Sequence, residues 1–389
     1  MIEWLLLLLP IAAASGWMAG KRSTESIKIE NRSRLNAAYF SNLRYLLNEQ
    51  PEKAIDSLLN TLEVDNEAIE PYLSLGNLFR HRGEIDRAIR IHQDLIDKSY
   101  LSQSQKRRVS LELGLDYMQA GMLDRAESLF LDIIKQESHT DIAIYQLLDI
   151  YQQKKDWYQA ITIAQKLGEG SSEIIGTILA HFYCELAEQQ YTQKRKTEAE
   201  KLIKQALISD WRCVRATLMQ ARLAIDDSNY RAAVHLLHQV EQQDPNYLSE
   251  ILKPLLECYQ HLGDADRFSY WLAEVLGRYP GYTPLVLARV KYLQQQGELR
   301  EARQFLADQL RKQYSIEGLQ YLLNLGMPKS IDSISELWKL MEEIVNDLLK
   351  AKSKYICGFC GFSGKYCHWQ CPSCKRWGVI KPFTMSIRF

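Results

Sequence analysis

Across most of the chain, apolar residues recur in steps of three, one and three. Tyr72, Leu75, Gly76 and Phe79 set the pattern, and Leu113, Gly114 and Tyr117 repeat it. Ile144, Leu147, Leu148 and Tyr151 follow, then Leu255, Leu256 and Tyr259. These steps place each set on one face of an α-helix. Nine to sixteen residues beyond the first set comes a small residue, often followed by an aliphatic one. It recurs as Ala54-Ile55, Ala88-Ile89, Ala126-Glu127, Ala160-Ile161, Ala199-Glu200, Ala233-Val234, Phe268 and Ala302-Arg303, at intervals of 34, 38, 34, 39, 34, 35 and 34 residues. The pattern predicts paired helices repeated along the chain, with four or five residues inserted between units in two places. Gly or another small residue is needed where paired helices cross too closely for a side chain.

An interval of 34 residues is the tetratricopeptide period. Turn signals fall between the paired helices at Arg82-Gly83-Glu84, Ala120-Gly121-Met122, Leu262-Gly263-Asp264 and Gln296-Gly297-Glu298. Glycine there suits a left-handed helix end. Pro245 and Pro280 stand where second helices stop, because proline cannot continue a helix. About eight repeats are expected over 35–330, with a superhelical solenoid as the fold. Ile331, Ile334, Leu337, Leu340, Met341, Ile344 and Leu348 make 331–352 one further amphipathic helix that caps the array. First helices line the concave side of such a solenoid. Counting from the small residues, that side includes Asn77, Arg80, His81, Arg108, Tyr145, Gln146, Asp149, His181 and Glu185. A polar groove with Arg, Asn and Tyr suits an extended peptide or a partner's helix; the alternative is that each residue is simply a solvated helix face.

The start of the chain breaks the amphipathic pattern. Trp4 to Gly20 contains no charge, Glu3 precedes it, and Lys21 and Arg22 follow. As a helix it spans about 25 Å at about 1.5 Å per residue, slightly short of the roughly 30 Å hydrocarbon core. Residues 1–20 therefore read as a transmembrane anchor and 21–34 as a juxtamembrane linker. A cleaved signal peptide would carry its cations before the apolar run, not after it. Cations on the C-terminal side put the repeats in the cytoplasm and the N-terminus outside.

Composition changes this picture little. Lys+Arg and Asp+Glu both total 48 in 389 residues, so no net charge draws the whole molecule to nucleic acid or anionic lipid. Of eight cysteines, Cys184, Cys213 and Cys258 are isolated in helical patterns as small packers. The other five crowd near the end. This is not a disulfide framework, and it indicates a reducing compartment.

Cys357-Gly358-Phe359-Cys360-Gly361 and Cys371-Pro372-Ser373-Cys374 form two C-x-x-C knuckles. Each aims two thiolates at one point, and together they supply the tetrahedral sulfur set that zinc or a single iron prefers. Cys367 and His368 lie between them, but the doubled knuckle already fills four positions. A closed site leaves no place for water and argues against hydrolysis. Residues 353–389 thus read as a metal-binding ribbon whose folding depends on the ion. From Lys350 onward there are eight Lys or Arg and no Asp or Glu, with Tyr355, Phe359, Tyr366, Trp369 and Trp377 interleaved. Nucleic acid is not the expected partner, because the thiolates offset part of that charge and an anchor suits a DNA reader poorly. The aromatics are expected to pack the ribbon onto the last repeats. No H-E-x-x-H, nucleophile elbow, Walker loop or dinucleotide fingerprint occurs, so an enzyme is not expected.

Several stretches resemble one family closely. They are Leu5–Gly20 with Lys21-Arg22, Leu75-Gly76-Asn77-Leu78-Phe79-Arg80, Arg87 to Gln93, Ala180 to Leu186, and Trp369-x-Cys371-Pro372-Ser373-Cys374 through Trp377 to Ile380-Lys381-Pro382. With the order of anchor, repeats and tail, the whole chain resembles the lipopolysaccharide assembly protein B family of Gram-negative bacteria. The resemblance implies an all-α, single-pass inner-membrane protein with its N-terminus in the periplasm and a rubredoxin-like tail in the cytoplasm. It implies an adaptor that regulates lipid A synthesis by assisting the membrane protease FtsH in degrading the deacetylase LpxC, and that gathers lipopolysaccharide assembly proteins. The family's metal ligands map onto Cys357, Cys360, Cys371 and Cys374, with iron suggested and zinc the alternative. Cys367 departs from the family pattern. A rubredoxin-type electron-transfer or redox-sensing role is the competing reading, and the sequence leaves open whether copies form a homo-oligomer.

Overall fold

A computed structural model of the chain describes residues 69–98, 101–135, 140–167, 173–313, 315–325, 343, 345–346, 349 and 353–383. The expected anchor and linker, the first repeat around Ala54, nearly all of the capping helix and the last six residues lie outside them. Among the described residues no helix is long and apolar enough to cross a membrane. The chain divides into two compact units, Met1–Asp156 and Trp157–Phe389.

In the first unit the helices are α1 (Glu70–His81), α2 (Ile85–Ile96), α3 (Gln103–Gln119), α4 (Leu123–Lys135) and α5 (Thr140–Lys154). Pro71 in the first turn of α1 costs no hydrogen bond, and Ser102 with Gln105 forms a capping box on α3. Tyr72, Leu73, Leu75 and Phe79 of α1 pack on Ala88, Ile91 and Leu95 of α2. At Gly76 a Cβ would lie 2.3 Å from His92 Nε2, and at Gly114 one would lie 2.6 Å from the Phe130 ring. Glycine is therefore required at these crossings. Between the helices of a pair, Gly83 and Gly121 take positive φ of 80° and 72° and end the first helix.

The second unit continues with α6 (Trp157–Ala164), α7 (Glu173–Thr192), α8 (Lys196–Ser209), α9 (Val214–Asp226) and α10 (Tyr230–Gln243). A 3-10 turn (Pro245–Tyr247) leads to α11 (Leu248–His261), α12 (Ala265–Arg278), α13 (Thr283–Gln295), α14 (Leu299–Lys312) and α15 (Ile316–Leu325). Every repeat marker among the described residues, Ala88, Ala126, Ala160, Ala199, Ala233, Phe268 and Ala302, is the fourth residue of its helix and at most 1 % exposed. Reading the insertions as lying between units needs revision, because α3 and α7, at 17 and 20 residues, are the longest first helices among the described residues. Much of the extra length lengthens a helix.

The tail is a small antiparallel sheet of β1 (Tyr355–Cys357), β2 (Ser363–Gly364) and β3 (Ile380–Pro382) in the order β2-β1-β3. Tyr355 pairs with Gly364 on one side and Pro382 on the other. Among the described residues its own core is Cys357, Cys371 and Ile380, with Tyr355, Phe362, Cys374 and Val379 partly buried against them. Such a core is too small to hold the ribbon by itself.

Candidate metal centre and its seat on the repeats

The first knuckle hangs from the end of β1, where Gly361 at φ 75° turns the chain back and its amide bonds to the Cys357 carbonyl, 3.1 Å away. In the second knuckle Lys375 takes φ 58° and its amide bonds to the Cys371 carbonyl at 2.9 Å. These turns bring the sulfurs of Cys357, Cys360, Cys371 and Cys374 within 4.8 Å of one another. Cys357 and Cys374 are 3.8 Å apart, Cys360 and Cys371 3.7 Å. Metal–sulfur bonds of about 2.3 Å in a tetrahedron require sulfurs about 3.8 Å apart, so the set fits zinc or a single iron. The Cys360 amide points at Cys357 Sγ, 3.5 Å away. The backbone amide of Phe362 helps lower the Cys360 thiol to about 6, which favours the thiolate a metal needs.

Cys367 lies outside this cluster. It is half-buried against the repeats beside Trp369, and burial pushes its thiol up to about 11. His368 is exposed, with its ring edge-to-face with Phe362 at 6.4 Å. Cys184 and Cys213, isolated in sequence, meet in the fold. The hydrogen bond that Cys184 donates to Cys213, together with burial, holds the Cys184 thiol well above its usual range, so it is an inert packer.

The tail sits on the repeats through two tryptophans. Trp377, 9 % exposed, stacks on His181 with ring centres 5.1 Å apart and sets its edge against Phe182 and Trp157 at 6.0 and 6.2 Å. Trp369 stacks on Tyr247 at 5.6 Å, with the Arg215 guanidinium 6.0 Å from its ring. Gly378, at φ 66°, allows the approach, since a Cβ there would stand 3.1 Å from His181 Nε2. Polar contacts fix the register: the Tyr247 hydroxyl donates to the Ile380 carbonyl at 2.7 Å, Tyr355 donates to Glu250 at 2.9 Å, and Lys381 pairs with Asp244 at 2.7 Å. The expectation that the aromatics pack onto the last repeats is thus corrected. The ribbon folds back onto α6, α7, α9 and the start of α11, and Tyr355, Trp369 and Trp377 are the aromatics that meet the repeats, whereas Phe359 and Tyr366 remain 56 % and 76 % exposed.

The expected groove residues divide between the two units. In the first, Arg80 is committed to Glu112 and Asp116, at 2.7 and 2.9 Å, and Arg108 pairs with Glu70. His81 and Tyr145 are exposed, and Asn77, Gln146 and Asp149 are half-buried. In the second, Glu185 pairs with Arg215 at 2.8 Å. His181 is only 4 % exposed and is covered by Trp377, so it faces the tail rather than solvent. Sequence reasoning missed the fully buried His92–Asp116 pair, which joins Arg80 in tying α1, α2 and α3 together. Its only signal was a histidine on the apolar face of α2, opposite Gly76.

No family model matches the chain. It is 34 % identical over 384 residues to Lipopolysaccharide assembly protein B of Escherichia coli strain K12, covering 98 % of each. It is 36 % identical over 393 residues to the protein of that name from Haemophilus influenzae, covering 99 % of each. Among solved structures, a tetratricopeptide repeat protein from Parabacteroides merdae aligns at 14 % identity over 71 % of this chain and 98 % of that one, with a TM-score of 0.33. The structure of Naa15/Naa10 bound to HypK-THB aligns at 12 % identity over 79 % and 46 %, with a TM-score of 0.44. Those two likenesses are too loose to carry weight. Identity sustained from end to end does carry it, and the chain belongs to the lipopolysaccharide assembly protein B family.

Proposed function

We propose that this chain is a membrane-anchored adaptor in lipopolysaccharide assembly that promotes FtsH-dependent degradation of the LpxC deacetylase. The observation that carries the reading is full-length likeness to relatives named for lipopolysaccharide assembly, joined to a repeat stack with a metal-type ribbon seated on it. Residues 1–20 would hold the chain in the inner membrane, with the repeats on the cytoplasmic side. Anchoring raises the effective concentration of a binding surface beside a membrane protease without any tight contact. In the first unit, His81 and Tyr145 offer exposed polar and aromatic contacts to such a partner.

Cys357, Cys360, Cys371 and Cys374 would hold one iron or zinc. A closed four-thiolate site supplies cross-linking and not hydrolysis, because no ligand position is open. The chain's own residues then do the positioning: Trp377 and Trp369 grip the repeats, and Lys381 and Tyr355 set the register. The deciding experiment is the half-life of LpxC in cells depleted of this protein. A clearly longer half-life supports the adaptor; an unchanged one moves the assignment to a scaffold for other envelope enzymes. A second reading, rubredoxin-type electron transfer or redox sensing, draws support from the exposure of Cys360 at the surface. A reversible iron couple in the purified chain would favour it, and a zinc-filled site would end it.

A further inference from the structure

The seat on the repeats does not use the whole tail. Phe359 and Cys360 of the first knuckle are exposed, as are Pro372 and Ser373 of the second and Lys375 and Arg376 directly after it. The Arg376 guanidinium lies over the Phe359 ring, 3.2 Å from its centre, yet that ring stays more than half exposed. The stack holds a cation and an apolar ring side by side at the surface.

Charge on the tail is one-sided. From Lys350 onward the sequence holds no Asp or Glu. The described cations of the tail are Lys354, Lys365, Lys375, Arg376 and Lys381. Lys381 is paired with Asp244, and the other four have no ion pair among the described residues. Four thiolates around a divalent ion leave about two negative charges. The unpaired cations outnumber them, so the metal-loaded tail remains positive.

An exposed aromatic beside unpaired cations suits an anionic partner, and its kind follows from size and stacking. Single-stranded nucleic acid stacks its bases on open ring faces, and Arg376 already lies over one face of Phe359. A stable protein interface takes about 20–30 residues a side, far more than the handful exposed around the knuckles. A bilayer surface needs neither an open ring face nor a large matched area. It accepts an apolar side chain at the headgroup boundary and cations among its phosphates.

We propose that the knuckle face of the tail rests on an anionic lipid surface, with Phe359 at the headgroup boundary and Lys375 and Arg376 among the lipid phosphates. Each such cation strengthens the attraction about fivefold. That is weak alone, but a chain anchored in the same bilayer supplies the effective concentration that makes it sufficient; this step rests on the anchored reading of residues 1–20. Because the tail is seated on α6, α7 and the start of α11, a lipid contact at the knuckles also fixes how the second unit stands on the membrane.

The test is amide exchange of the metal-loaded full chain reconstituted with vesicles of phosphatidylcholine alone, or with about one-third phosphatidylglycerol. Exchange at 358–361 and 373–376 should slow about fivefold or more on the anionic vesicles only, and the difference should vanish in roughly 0.5 M salt. Phe359→Ser and Arg376→Gln, with metal content checked, should each shrink the difference, while protection of α6 and α7 stays as it was. Should a variant lose its metal, the salt dependence of the unaltered chain still decides. Sedimentation with the neutral vesicles reports the anchor separately, so a failed anchor is not mistaken for a failed lipid contact. Equal exchange on both kinds of vesicle overturns the proposal, as does slowing that persists in high salt or survives both variants. Slowing by soluble polyglutamate and not by anionic vesicles also overturns it, and assigns the face to an acidic protein segment.

Discussion

Around Trp377 the indole meets a stacked imidazole on one side and the edges of Phe182 and Trp157 on others. Truncating a buried tryptophan costs about 3–5 kcal/mol. Trp377→Ala should therefore release the tail, seen as faster amide exchange in α6 and α7; unchanged protection would mean that the polar contacts alone hold it. Its neighbour His181 is held neutral, its pKa lowered from 6.5 to about 3 by burial and then by Arg215. The unfolded chain accepts a proton that the folded chain refuses. The contribution to stability is therefore fully present above about pH 6.5 and is lost as pH falls toward about 3. His181→Phe should flatten the acid limb of a stability–pH curve, and an unaltered limb would move that loss to other groups. Nothing local in the sequence marked this histidine as buried. Read by repeat register it belonged to an open face, and only the returning tail covers it.

Among the elements, the turns between paired helices show how a repeat tolerates variation. Gly83, Gly121, Gly263 and Gly297 hold the left-handed position, and Lys155, Lys194 and Ser228 hold the same backbone form at φ 56°, 61° and 58° in repeats that lack glycine. An L-residue there is strained by about 1–2 kcal/mol. Ser228→Gly should raise the denaturant midpoint by about 1 kcal/mol equivalent once the greater freedom of unfolded glycine is offset; a fall would show that the serine side chain compensates. The opposite substitution, Gly76→Ala, puts a Cβ 2.3 Å from His92 Nε2. It should cost about 1–3 kcal/mol through overpacking and displace the ring from Asp116. A neutral result in the same melts would show that α1 and α2 can part freely. Helix pairs, their crossings and the glycine turns were legible because period and turn chemistry are local. The non-glycine turns were not, since lysine and serine carry no signal for positive φ.

For the second unit as a whole, the tail changes what kind of object the repeats are. A stack held only by neighbouring contacts unfolds piecemeal. Here Tyr247 is bonded to Ile380, 133 residues further along, and Trp157 meets Trp377 from still further. The ribbon thus links α6 to α11 across the intervening repeats. Removing the metal by chelation, or with Cys371→Ser and Cys374→Ser together, should unfold the ribbon. Amide protection should then fall in α6, α7 and the Pro245–Tyr247 turn, whereas α13 and α14, packed on each other, should keep theirs. Loss confined to 353–383 would show that the repeats stand without their staple.

The amino-acid sequence by itself determined the helical repeat, the register of its small residues and the pairing of two C-x-x-C knuckles. Each depends on neighbours a few residues apart, where spacing dictates geometry. The tertiary structure alone decided where the ribbon sits and which aromatics serve it. It also decided that His181 is buried and that His92 and Asp116 meet. Those contacts join residues far apart in the chain, and their partners were chosen by shape, burial and charge, none of which leaves a period to read.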